Sequence, residues 1–389
     1  MKNKNILWLM ALCAFAINTT EFGIVGILPQ LAENFGVTID KAGWLVSAFA
    51  LSVAVSGPIL TGFIGKLNKK SVLSFILVIY TISNLIPIFI QSYAVAIAFR
   101  IIPAILLPIF WAISITTAVS LVDPSKKGSA VATVFSGLSI AAVLGVPLGS
   151  YITSLFTWEA AFYFMAALNV ISLLFLFIIF PNIRTENPAN ASSQWGEIMN
   201  VKVWLGLASN MMLIAGMFAT YSYMTAYFQQ ELNMSQGLSS IMLFAFGFTG
   251  VIGNSWAGRE LNKNVLRTSN LVTVGIALII MLLFLIRSEL WMALPFVMVW
   301  GFIHTAGFVV TQVRAVSLVS SDNQLINSMN VSICNIGIAL GTYLGGEAIS
   351  QWGLGSIGFA GAALLVSSLI IGTFIKQKQK ENMTVSATA

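Results

Sequence analysis

The chain has 389 residues, 58% of them hydrophobic and only 8% charged, with a net charge of +6 and a mean hydropathy of +0.90. Soluble domains average about 45–50% apolar and about 25% charged residues, so this composition excludes an ordinary soluble fold. It calls for a bilayer as solvent.

A helix needs about 20 apolar residues to cross a hydrocarbon layer of about 30 Å. In chain order, twelve stretches meet that length: 6–29, 42–65, 72–90, 93–121, 129–154, 159–180, 203–230, 239–258, 268–286, 290–318, 326–350 and 354–375. Each is predicted to be a helix, because a helix satisfies its own backbone hydrogen bonds in lipid. Most connections are short, so successive helices should run antiparallel. The polar stretch 181–202, with Asn187-Pro188-Ala189-Asn190, separates six spans from six. The expected organisation is an N-terminal bundle over 1–180, a central loop over 181–202, a C-terminal bundle over 203–375 and a basic tail over 376–389. Lys2 and Lys4 ahead of an apolar run imitate a cleavable signal, but that run continues to Pro29 and removing it would break the six-plus-six symmetry.

Two phrases reveal a duplication. Gly145-Val146-Pro147-Leu148-Gly149-Ser150-Tyr151 returns 192 positions later as Gly337-Ile338-Ala339-Leu340-Gly341-Thr342-Tyr343, and Leu67-Asn68-Lys69 returns 194 positions later as Leu261-Asn262-Lys263. Internal repeats of this kind are common in transporters. The glycines of Gly137, Gly145, Gly149, Gly337 and Gly341 permit close helix approach, and Pro147 leaves a carbonyl without its usual donor. Both packing and a conformational role would explain the motif.

Basic residues set the orientation. With the N-terminus inside, 15 of the 19 Lys and Arg residues fall on the inner side, Lys41 and Arg287 fall outside, and Arg100 and Arg314 lie within spans. Both termini are therefore expected to be cytoplasmic. The bias accounts for the positive charge and leaves no reason to expect a nucleic-acid partner. Cys13 and Cys334 lie in separate spans without a metal-ligand spacing, so neither a disulfide framework, a metal site nor a cofactor is expected.

Charge inside the bilayer is the strongest pointer to function, since it costs about 2.5–3.5 kcal/mol on insertion scales. Glu21 lies eight residues before the outer end of the first span, and Arg100 lies seven residues into the fourth from the same side. Their depths match, so an ion pair is geometrically possible, acting either as a proton switch or as a static packing contact. His304, alone of its kind, falls mid-span near Trp300, Thr305 and Gln312; it reads as a titrating or substrate-binding group, or as a neutral helix-to-helix bond. Arg314 sits near the inner end of its span, where snorkelling accounts for it. Amphipathic aromatics and amides such as Asn18, Trp111 and Tyr221 are candidate cavity residues; the alternative is an interfacial belt, especially for Tyr223 and Tyr227 near the outer end.

These residues resemble the twelve-span drug:proton antiporter branch of the major facilitator superfamily, particularly its bacterial arabinose-, sugar- and purine-efflux members. The similarity rests on Thr20-Glu21-Phe22, on Gly26 through Ala32, on Ala42 through Ala50, and on Gly145 through Gly149, which looks like this group's version of the antiporter motif. Where the family loop after span two reads G-x-x-x-D-R-x-G-R-R, this chain runs from Gly62 to Lys70 with Lys66 at the acidic position, Lys69 at the later glycine and Lys70 at its end. The resemblance implies an all-helical major facilitator fold, proton coupling by Glu21 and Arg100, an inner-gate loop at Gly62, Lys66, Lys69 and Lys70, and a cavity lined from Asn18, Trp111, Tyr221, Trp300 and His304.

The expected activity is export of a small organic molecule (drug, purine or sugar-like) in exchange for protons, by a monomer in a bacterial inner membrane. Uncoupled facilitated diffusion, a sensor or a membrane-embedded enzyme are the alternatives. No phosphate-binding loop of the G-x-x-x-x-G-K-[ST] type is present, and the sparse intramembrane set forms no recognised catalytic constellation.

Overall fold

The structure is a computed structural model that describes residues 2–60, 68–123, 127–181, 200–285, 290–319 and 324–388. It is helical throughout the described elements: α1 (Lys2–Gly26), α2 (Leu28–Asn34), α3 (Ile39–Ala42), α4 (Trp44–Leu60), α5 (Lys69–Phe89), α6 (Tyr93–Ser120), α7 (Lys127–Ile140), a π segment (Ala141–Gly145), α8 (Val146–Leu155), α9 (Trp158–Ile179), α10 (Val201–Tyr221), α11 (Met224–Gln230), α12 (Gln236–Lys263), α13 (Val265–Leu285), α14 (Leu290–Val316), α15 (Gln324–Trp352) and α16 (Ile357–Thr388). Large apolar side chains such as Val55 and Ile178 point outward, 58% and 78% exposed. That arrangement is stable where lipid replaces water.

Among the described residues, eleven helices are long and apolar enough to cross a membrane. The remaining expected span corresponds to α15, whose 29 residues are ample in length. Asn327, Asn330, Ser332 and Asn335 lower its apolar character. The last helix continues through most of the expected tail, to Thr388.

The chain divides into two compact units, Met1–Pro188 with Met224–Gly247, and Ala189–Tyr223 with Phe248–Ala389. In the first unit, α1 packs against α7 and α9, α4 against α6, and α5 against α9. In the second, α10 packs against α15 and α16, and α13 against α14 and α16. The windows around the first and seventh spans are 83% and 72% buried, against 33–56% for the others. α1 and α10 are the spines of their units.

Proline chemistry explains two irregularities. Pro29 has no N–H to bond the carbonyl of Val25, and α1 stops at Gly26 before α2 resumes. The Thr225 hydroxyl donates to the freed Val25 carbonyl at 2.9 Å, which ties α11 to the first unit. Pro147 likewise deprives Val143 of a donor, and the helix widens into a π turn over Ala141–Gly145. The seventh span breaks between α10 and α11 at Ser222-Tyr223, without a glycine or proline there.

The glycine phrases occupy close approaches. A Cβ on Gly145 would collide with the Thr19 side chain, and one on Gly337 would lie 2.6 Å from the Met211 carbonyl. The two glycines are 192 positions apart, and so are their partners Thr19 and Met211. Gly137 and Gly341 abut the carbonyls of Ala11 and Ala215, while Gly149 only touches Met165. Pro147 itself is buried at the start of α8.

Candidate functional site

In the first unit, α1 carries Asn18, Thr19, Thr20 and Glu21 in succession, all buried, with Glu21 8% exposed. Thr20 is the hub. Its hydroxyl accepts from Asn84 Nδ2 of α5 at 3.0 Å and from Asn169 Nδ2 of α9 at 3.1 Å, and donates to the Ala16 carbonyl. Three helices are pinned at one atom beside the acid. Each amide also donates to its own helix, Asn84 to Tyr80 and Asn169 to Met165.

Arg100 reaches the same place from α6, 6% exposed. Its Nη1 donates to the Thr20 carbonyl and its Nη2 to the Glu21 carbonyl, both at 2.7 Å, and its Nε donates to the Leu45 carbonyl of α4 at 3.1 Å. The guanidinium carbon lies 4.4 Å from the centre of the Phe49 ring, a cation–π distance. The possible Glu21–Arg100 ion pair does not form between side chains: among the described residues the ion pair present is Lys263–Glu260, at the surface. The reason is geometric. Arg100 approaches α1 from the side of its carbonyls, whose second lone pairs accept the fork, so the guanidinium is satisfied by backbone and aromatic face. The carboxyl still lies near enough to interact electrostatically with Arg100 and Tyr80. A small cavity opens beside this cluster, lined by Thr20, Leu45, Asn84, Phe99, Arg100 and Phe162.

The remaining candidates fall into separate groups. Asn18 donates to the Ala14 carbonyl at 2.6 Å, and Trp111 is half-buried and stacks on Phe135 with centroids 4.6 Å apart; both belong to the first unit. In the second unit His304 sits in an aromatic cage, its ring centroid 5.1 Å from Tyr221, 6.1 Å from Trp300, 6.0 Å from Phe308 and 6.3 Å from Phe218. Tyr221, Trp300 and His304 are thus brought together. Gln312 is not with them; its Oε1 accepts from Asn330. Tyr223 and Tyr227 are buried, 1% and 0% exposed, and the Tyr223 hydroxyl donates to the Thr342 carbonyl, so neither forms an interfacial belt.

Of the inner-gate loop, Gly62 and Lys66 lie outside the described residues. Lys69 is buried at the start of α5, and Lys70 donates to the Phe177 carbonyl at 2.9 Å while covering the Phe177 ring. Asn68 caps this helix by accepting from the backbone N–H groups of Lys70 and Ser71. Sequence reasoning missed the Thr20–Asn84–Asn169 hub. A signal was available: an amide in the middle of an apolar span needs a partner.

Compact helical units, a buried charge on the first span and an apolar exterior are the features of a multi-pass membrane protein. A family profile described as Major Facilitator Superfamily matches residues 10–342, and the chain belongs to that family. It is 30% identical over 385 residues to the uncharacterized MFS-type transporter YfhI of Bacillus subtilis, covering 98% of this chain and 96% of the relative. It is also 30% identical to the inner membrane transport protein YdhP of Escherichia coli K12, over 99% of this chain and all of the relative. A protein named "Probable sugar efflux transporter" from Pasteurella multocida is 28% identical over 95% of this chain and 91% of its own. Among solved structures, an inward-facing bacterial homologue of the human lysosomal transporter Spinster superposes with a TM-score of 0.74 at 14% identity, covering 96% of both chains. The nucleoside transporter NupG gives 0.71 at 14% identity, over 97% of this chain and 99% of its own. The protein is a membrane-embedded transporter, not an enzyme.

Proposed function

We propose that this transporter exports a small, sugar-like organic molecule across a bacterial inner membrane in exchange for protons, with both termini cytoplasmic and Glu21 carrying the proton. The observation that carries the reading is the separation of roles at α1. Arg100 spends its donors on the Thr20, Glu21 and Leu45 carbonyls, so the buried Glu21 carboxyl is not consumed in a side-chain ion pair and is available to exchange a proton. Thr20, fixed by Asn84 and Asn169, holds that stretch of α1 in place. Proton coupling suffices energetically, since one charge crossing about 100 mV supplies about 2.3 kcal/mol, enough for a gradient of about fortyfold.

The substrate class follows the relatives named for sugar efflux, and an aromatic side chain such as Tyr221 would suit the apolar face of a sugar ring. The test is uptake into everted vesicles, with a panel of sugars, nucleosides and lipophilic cations, with and without an imposed acid interior. Sugar accumulation only under the gradient is the expected result. Flux of a sugar that never exceeds equilibration would replace antiport with facilitated diffusion.

A further inference from the structure

The second unit contains a buried arginine that the transport reading does not use. Arg314 lies on α14 two residues before its end and is 7% exposed, so it does not snorkel to the interface as its position suggests. Its Nε donates to Asn210 Oδ1 of α10 at 2.8 Å. Asn210 Nδ2 in turn donates to Asn330 Oδ1 of α15 at 2.7 Å and to the Thr311 carbonyl at 2.9 Å, and Asn330 Nδ2 donates to Gln312 Oε1 at 2.9 Å. Every side chain in this set is neutral except the arginine. No acidic group lies within ion-pair distance of it among the described residues, and its Nη2 is buried without a hydrogen-bond partner.

A buried cation with one neutral partner and an open donor is an unstable arrangement unless an anion completes it. The contrast with Arg100, whose fork is filled by carbonyls, shows that the fold can satisfy a guanidinium when no ligand is meant to share it. One helical turn beyond this network, on all three helices, the side chains become apolar. Val203 and Leu207 precede Asn210, Ala315 and Leu318 follow Arg314, and Ile326 precedes Asn330, forming one cluster. Gly206 is pressed against Leu318. The cluster caps the polar network on one side.

We infer that Asn210, Gln312, Arg314 and Asn330 form a binding site for a small oxyanion, a carboxylate or phosphate group, capped on one side by the apolar cluster of Val203, Leu207, Leu318 and Ile326. The planar guanidinium offers Nη2 to one oxygen, and the amides of Asn330 and Gln312 can turn a nitrogen toward another. The same chemistry fits a free solute and a lipid phosphate.

The full-length protein in phosphatidylcholine nanodiscs distinguishes these, using unfolding midpoints with sodium phosphate or sodium formate against sodium chloride at equal ionic strength. Phosphate or formate should raise the midpoint saturably, and Arg314→Gln should weaken that response by about tenfold or more, the worth of one charge-assisted hydrogen bond. If the occupant is a lipid headgroup, adding phosphatidylglycerol should raise the midpoint of the unsubstituted protein but not of Arg314→Gln, and the soluble anions should then add nothing. Asn210→Asp, which keeps the arginine and places a carboxylate on its Nε, should raise the midpoint unaided and abolish the anion response. Equal responses of the unsubstituted protein and Arg314→Gln to all three additives, or a full phosphate response in Asn210→Asp, would overturn the site. None of these measurements depends on transport.

Discussion

The two buried arginines among the described residues solve the same electrostatic problem in opposite ways. Arg100 is surrounded by backbone: three carbonyls from α1 and α4 and the face of Phe49. Arg314 is surrounded by side-chain amides and keeps a donor open. Backbone carbonyls of a helix cannot move away without unwinding it, whereas amide side chains can rotate and exchange oxygen for nitrogen. The first environment is suited to a permanent structural charge beside an acid that must change state, and the second to a charge that receives something.

Substitution should break this contrast most visibly at Arg100. Arg100→Met strips three buried carbonyls of a charged donor, at about 1.5–3 kcal/mol for each such bond, and should lower the thermal unfolding midpoint severely and abolish transport. Arg314→Met removes a single charge-assisted bond together with a buried charge that has no counter-ion among the described residues, so its midpoint should stay near that of the unsubstituted protein or rise, as buried ions replaced by apolar groups often show. Equal destabilisation by the two would erase the distinction between them.

Helix contacts come next. Gly145→Val and Gly337→Val each drive side chains into Thr19 and Met211, and overpacking of this kind costs about 1–3 kcal/mol. Similar losses at both positions, read as unfolding midpoints, would support mechanical equivalence of the two glycines; a loss at only one would break it. Asn84→Leu and Asn169→Leu should each cost less, on average about 0.6 kcal/mol for an interhelical bond in a membrane. Thr20→Val should cost more than either, because it orphans both amides at once. If the double substitution of Asn84 and Asn169 leaves transport intact, the hub is packing alone.

The sequence carried the helices and the duplication because both are written in local pattern. Apolar length marks the spans, and the glycines of positions 145 and 337 mark close approaches to α1 and α10. It also carried the depth of Glu21 and Arg100. It could not carry the direction of the Arg100 side chain, which depends on how α6 is rotated against α1 and α4, so matched depth suggested an ion pair where the structure has carbonyls. Residues far apart in the chain, such as Thr20, Asn84 and Asn169, meet only after three helices are packed. The same holds for Asn210, Arg314 and Asn330. The break at Ser222-Tyr223 has no local signal.

The central claim is that Glu21 carries the exchanged proton. Everted vesicles holding equal amounts of the unsubstituted protein or of Glu21→Gln, given an acid interior, test it by the substrate gradient each builds. The account predicts uphill accumulation with the first and none above equilibration with the second, while downhill exchange persists. An undiminished pH-driven gradient with Glu21→Gln would contradict it, leaving the acid as a fixed partner of the Arg100 cluster.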